Sequence, residues 1–342
     1  MKTPFISVVI ANFNGEKYLD TCLKSVLKSV YKDFEVLVVD DGSDDNSLNI
    51  ITKYQKIDSR ISLLLNKTNI GAAASRNVAL KKVKGDAIIF LDNDTEVTRN
   101  WIAELIKPLL REKNIGATQA LLLDFERRDS IQMAGGLLIP HTGWLALFYH
   151  GESYKKIKNM IKEKEVVGIS AALAVKKEVI NKIGGFDEKE ARYTEDLDFC
   201  WRIWIAGYKI VLANKSIVYH HIKSVSERAG MKATYRKIYF GLAKNSFRSI
   251  IKNYQVKNVF LYLPASIAIN IFRGFWVLIR DKNPSALVGT FDALMWNFSN
   301  LADTIVCRFE VQKTRKVPDS FLFSRVFERR NLLEIYKRYF KG

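Results

Sequence analysis

GDAIIFLDNDTEV, residues 85–97, carries an unbroken apolar run from Ala87 to Leu91 that stops on Asp92-Asn93-Asp94. A run apolar at every position, rather than alternating, is the pattern of a strand buried on both faces of a parallel sheet. The two carboxylates at its end need partners, and a cation, backbone amides or water would each serve. Outward from this stretch the chain alternates. Strands read at 6–11, 34–39, 61–65 and 86–91. Between them lie helical patterns at 16–30, with Leu19, Leu23, Val26 and Leu27 on one face, at 44–56 and at 71–83. That rhythm predicts an α/β domain with a mainly parallel, Rossmann-like sheet flanked by helices. Ligands on such sheets sit at the carboxyl ends of the strands. Three polar clusters fall there: Asn12-Phe13-Asn14-Gly15, Asp40-Asp41-Gly42-Ser43 and Asp92-Asn93-Asp94.

Farther along, 98–112 and 176–183 read as helices, 116–123 as a strand, and 166–175 as a strand or helix start. A helix is expected at about 195–206, followed by a strand at 208–213. The N-terminal run reads as a first buried strand, Ile6 to Ala11, rather than as a signal peptide. Cys22, Cys200 and Cys307 are widely spaced, which argues against a cysteine-built metal site and fits a reducing compartment.

The net charge of +18 is uneven: residues 223–342 hold 22 of the 54 Lys/Arg but only 8 of the 36 Asp/Glu. The character changes near 222–230, dividing the chain into a catalytic domain, 1–225, and a basic helical region, 226–342. The first would have a donor half at about 1–97 and an acceptor half at about 98–225. Residues 258–272 are uncharged but shorter than the roughly 20 apolar residues a membrane span requires. Extension to 280 includes Arg273, which is costly inside a bilayer. Amphipathic helices lying on an anionic leaflet are therefore expected, with a helical cap on the catalytic domain as the alternative and a true span as the third reading.

The segments VVIANFNGEKYLDTCLKSVL, VLVVDDGSDDNS, NIGAAASRNVAL, GDAIIFLDNDTEV and YTEDLDFCWRIWIAGYKIVL together resemble, in order and spacing, the family 2 inverting glycosyltransferases of GT-A fold. The resemblance covers roughly residues 4–226, and SIQMAGGLL is similar to the rhamnosyltransferase-like branch. It implies transfer of one sugar from a nucleotide sugar, of uridine or thymidine diphosphate type, to a glycan or polyprenyl-linked acceptor. The reaction would take place at the inner face of the cell membrane. Gln-x-x-Arg-Trp, the signature of processive synthases, is missing, and CWRIW does not supply it, so non-processive transfer is expected.

Each residue keeps its own chemistry beside that resemblance. Asp92 and Asp94, at i and i+2, can both approach one hard cation; capping of a short turn by Asp94 or Thr95 is the other reading. The resemblance makes Asp94 the direct ligand of Mn²⁺ or Mg²⁺ and sets Asp92 nearer the ribose or a metal-bound water. Asp-Gly at 41–42 is a turn signal, with Ser43 as a possible helix cap; the resemblance adds that Asp41 accepts a base N–H and that Phe13 stacks on the base. Asn12, Asn93 and Arg76 complete the donor side. Glu195 and Asp196 suit a helix N-terminus capped by Thr194; by resemblance, Asp196 is the general base and Glu195 its supporting neighbour. Trp201 and Trp204 would be core or acceptor-pocket residues. His220 is the expected third metal ligand, with His221 as fallback. Two competing readings stand beside these. A nucleotidyltransferase would want a basic, glycine-rich loop after the first strand. A nucleic-acid-binding protein would use the basic tail, but no DNA- or RNA-binding module is visible, and no nucleic acid is expected as partner.

Overall fold

The computed structural model describes residues 3–169, 171–221 and 231–328. In chain order its elements begin with β1 (Ile6–Asn12), α1 (Glu16–Leu27), β2 (Phe34–Asp40), α2 (Ser47–Ile57), β3 (Ile61–Leu65), α3 (Ala72–Leu80), β4 (Ala87–Asp92) and β5 (Thr95–Val97). Next come α4 (Trp101–Arg111), β6 (Ile115–Asp124), β7 (Ile131–Met133), β8 (Gly136–Ile139), β9 (Trp144–Leu147), α5 (Tyr154–Ile157), β10 (Ala172–Lys176) and α6 (Lys177–Ile183). The last are α7 (Glu195–Ile205), β11 (Lys209–His220), α8 (Met231–Asn253), α9 (Val256–Asp281), α10 (Ser285–Ser299), α11 (Leu301–Thr314) and α12 (Asp319–Arg325).

Contacts group the chain into two units. The first takes residues 1–136, 147–191 and 208–222; the second takes 137–146, 192–207 and 223–342. The expected boundary at 222–230 falls outside the described residues.

The first unit is built on a sheet of order β3-β2-β1-β4-β10-β6-β11-β5, with β7 on β6. It is parallel across β3-β2-β1-β4, as the alternation predicts, and becomes mixed where β10 enters antiparallel between β4 and β6. The register sets Asn12 beside Asp40 and Ala11 beside Asp92, so three polar strand ends meet. β1 and β4 bury nearly every side chain, which explains their continuous apolar runs. α1 buries Leu19, Cys22, Leu23 and Val26 and ends at Leu27, short of the predicted residue 30. The chain tightens there, with Lys28 N–H and Ser29 N–H bonding Ser25 and Val26 carbonyls. α2 starts at Ser47 rather than 44 because Asp45 turns its carboxylate to the Ser47 and Glu16 amides. β11 is longer than predicted; a register shift between Ala213 and Ile217 carries it on to His220, where it pairs antiparallel with β5 as His220 opposite Thr95.

The second unit is helical, with a hairpin of β8 and β9 whose Leu138 bonds to Val326 and Glu328. Its outer helices invert the usual pattern. α9 buries Ser266, Asn270, Gly274 and Val277, and α10 buries Ala286, Gly289, Thr290, Ala293 and Asn297. Phe260, Phe272, Ile279, Met295, Phe298 and Phe309 are instead exposed. Small residues let the backbones close up: a Cβ on Gly274 would stand 2.9 Å from Leu287 Cα, and one on Gly289 2.4 Å from the Arg236 carbonyl. Among the described residues α9 is the one helix long and apolar enough to cross a membrane by length and composition.

Candidate active site

The turn after β4 and the end of β11 bring together Asp92, Asp94 and His220, with one ligand atom of each within 4.8 Å of the others. The antiparallel pairing of His220 with Thr95 makes the meeting possible. His220 Nε2 lies 3.2 Å from Asp94 Oδ1 and 3.9 Å from Asp92 Oδ2. Its Nδ1 bonds Gln132 Oε1 at 2.9 Å. With Nδ1 engaged by Gln132, Nε2 is the ring nitrogen that faces the acids. Two carboxylates with one imidazole suit a divalent ion. Capping does not explain the pair. The turn leads into β5 rather than a helix, and Thr95 Oγ donates back to the Asp92 carbonyl.

Asp92 is shared: Arg76 Nη2 donates to its Oδ1 at 3.0 Å. Arg76 is nearly buried on α3, its guanidinium over the Phe186 ring at 5.2 Å. The fallback His221 stacks on Phe125, ring centroids 3.5 Å apart, and sets Nδ1 3.4 Å from Glu126. It is not part of the acid cluster.

Asp41 is 3% exposed and accepts from Asn66 Nδ2 and Ile70 N on Oδ1, and from Gly71 N on Oδ2. A carboxylate has about four acceptor positions, so one is left. Asn12 is buried between strand ends: its Nδ2 donates to Asp40 and its Oδ1 accepts from Asn93. These two asparagines therefore brace the β1 and β4 turns against each other. Ser43 does not cap a helix; it donates to Asp40 and accepts from the Asn14 amide. Phe13 presents its ring to solvent at 46% exposure.

Glu195 and Asp196 open α7 in the second unit. Thr194 occupies the cap position, yet its hydroxyl makes no capping bond and has no hydrogen-bond partner among the described residues. Glu195 is buried, whereas Asp196 is partly exposed and accepts from the Leu197 amide. The approach to the helix is strained, with Tyr193 at φ 94°. Gly241 makes room for that residue: a Cβ there would stand 2.3 Å from the Tyr193 ring. Asn245 also holds the Arg192 carbonyl at 2.9 Å. Asp198 accepts from Arg202 Nε at 2.9 Å, Lys252 Nζ at 3.0 Å and Asn253 Nδ2 at 2.8 Å, all buried. Trp201 and Trp204 are core residues, Trp201 packing edge-on to Tyr254. Sequence reading missed Gln132, Lys252 and Asn253, which are remote from the motifs they support.

An acid pair with a histidine at the strand ends of a mixed α/β sheet is the setting in which the comparisons with known proteins are read. The model of glycosyl transferase family 2 matches residues 7–184, and the chain belongs to that family. An uncharacterized glycosyltransferase of Haemophilus influenzae is 36% identical over 111 residues, 32% of this chain and 44% of that protein. This chain thus matches less than half the length of that relative. Among solved structures, GalNAc-T7 with UDP, GalNAc and Mn²⁺ superposes with TM-score 0.60 at 17% identity, over 89% of this chain and 57% of that one. The mannosyltransferase PcManGT of Pyrobaculum calidifontis, in complex with GDP-Man and Mn²⁺, gives 0.55 at 16% identity, over 100% and 89%. At such identity these likenesses establish the GT-A fold.

Proposed function

We propose that this chain moves one hexose or deoxyhexose from a nucleoside diphosphate sugar, of uridine or thymidine type, to a glycan or polyprenyl-linked acceptor, with inversion. The observation that carries this reading is the meeting of Asp92, Asp94 and His220, with one ligand atom of each within 4.8 Å of the others. Asp94 and His220 would hold Mn²⁺ or Mg²⁺, with Asp92 at the ribose side. The ion supplies positive charge for the leaving diphosphate. Arg76 adds a fixed cation beside Asp92. Phe13 offers its exposed ring to the base, and the open acceptor position of Asp41 takes a base N–H. Asp196 accepts the proton of the acceptor hydroxyl as its oxygen bonds to the anomeric carbon and the sugar–diphosphate bond breaks on the opposite face. Glu195 supports it from the same turn.

The outward apolar side chains of α9 to α11, with the basic excess of the last third, support peripheral attachment to the cytoplasmic leaflet. The donor site is tested by thermal stabilisation with a panel of nucleotide sugars, with Mn²⁺, with Mg²⁺ and with chelator. A metal-dependent shift with one donor, lost in Asp94→Ala, is the expected result. Stabilisation by that donor unchanged in chelator would overturn the metal assignment.

A further inference from the structure

Arg273 is the one charge on α9 between Lys257 and Arg280. Its guanidinium stacks on Trp144, 3.9 Å from the ring centroid, with Tyr239 at 5.1 Å. Three other cations of the second unit have acidic partners: Lys252 has Asp198, Arg248 has Asp303 and Arg315 has Asp319. Arg273 has no hydrogen bond or ion pair among the described residues. Its Nη1 is closed off from solvent without a partner, and so is Trp144 Nε1. Asp281, on the same helix, is already engaged by Arg280 at 2.7 Å and by the Tyr235 hydroxyl at 3.3 Å. A sequestered charge without a counter-ion is costly, and burial pulls this guanidinium below its usual pKa, with Tyr239 opposing.

The neighbours on α9 say how an anion would arrive. Phe272, Phe275 and Trp276 are exposed, so the approach is over apolar surface rather than open water. A stacked guanidinium is fixed in plane and offers paired N–H groups that match phosphate oxygens. Trp144 Nε1 is a further donor beside it. We propose that Arg273, Trp144 and Tyr239 form a phosphate-binding site, and that the phosphate is the headgroup of a phosphorylated carrier lipid. This deepens, and rests on, the reading of a lipid-borne acceptor.

The test is flotation of the full chain with phosphatidylcholine vesicles holding either a polyprenyl phosphate or the same polyprenol without phosphate. Wild type is expected to bind the phosphorylated vesicles about tenfold tighter or more. Arg273→Gln removes that discrimination, Arg273→Lys restores part, and Trp144→Phe, which keeps the stack but loses the N–H, reduces it. An undiminished preference in Arg273→Gln overturns the site. Binding of inorganic phosphate to the wild type as tight as that of the polyprenyl phosphate, and lost in Arg273→Gln, assigns the site to a free anion and overturns the lipid source. Metal-dependent stabilisation by nucleotide, measured on each variant, reports the fold. Its absence in wild type with lipid discrimination intact would sink the transferase reading alone.

Discussion

Gln132 Oε1 stands 2.9 Å from His220 Nδ1, and that one contact leaves Nε2 as the ring nitrogen that faces Asp92 and Asp94. β6 lies between the two residues, pairing Leu123 with Ile131 on one side and with Tyr219 on the other. Partners that fix a histidine tautomer typically contribute about 10–100-fold to metal affinity. Gln132→Leu should therefore raise the Mn²⁺ concentration needed for nucleotide stabilisation by that factor, with the fold unchanged. An unaltered metal titration would show that Gln132 does not orient the ligand.

Asp196 stands in the first turn of α7, partly exposed, behind a Thr194 whose hydroxyl caps nothing. As the base, it should leave donor binding untouched when converted to Asn while transfer falls about 10²–10⁴-fold. The check is a transfer assay run beside the thermal shift. Wild-type transfer in Asp196→Asn removes the assignment.

Asp198 binds Lys252, Arg202 and Asn253 in a buried cluster that joins α7 to α8. Truncating one partner of such a cluster leaves charge uncompensated and costs about 3–5 kcal/mol. Lys252→Met should show that loss in urea unfolding, and Lys252→Met with Asp198→Asn should recover part of it. A loss below about 1 kcal/mol in the single variant would mean the charge is satisfied in another way.

Burial pushes the Cys22 thiol from 9.0 up to about 12, with Asp94 and Asp92 adding to the rise and the Thr95 hydrogen bond opposing it. At pH 8 only about one part in 10⁴ is thiolate, so native Cys22 should resist alkylation that modifies it readily in urea. The folded pKa lies above the unfolded one. The stability from this thiol is thus fully present below about pH 9 and is lost as pH rises toward 12. Mass spectrometry of alkylated peptides reads the first effect; rapid labelling of Cys22 in the native protein would contradict it.

Much of this was legible in residue order. Continuous apolar runs marked β1, β2 and β4 because strands covered on both faces carry little alternation. The acids at their ends marked the site because parallel strands deliver their carboxyl ends to one edge. Element ends were less legible: α2 begins late because Asp45 holds amides rather than starting a helix. The motifs place Asn12 and Asn93 on the donor side, and their bond to each other emerges only when two turns adjoin. Gln132 carried no signal, since its partner lies 88 residues away across β6.

By itself the sequence determined the α/β order, the acid pair after β4, the family motifs and the basic last third. Local pattern and spacing suffice for these, because strand burial, turn chemistry and composition are properties of neighbours in the chain. The tertiary structure alone decided that His220 and not His221 joins the acids, that Asp198 anchors α7 to Lys252, and that Arg273 is stacked with no counter-ion among the described residues. Those outcomes depend on strand register and helix contact, where one residue of slip turns a side chain to the opposite face.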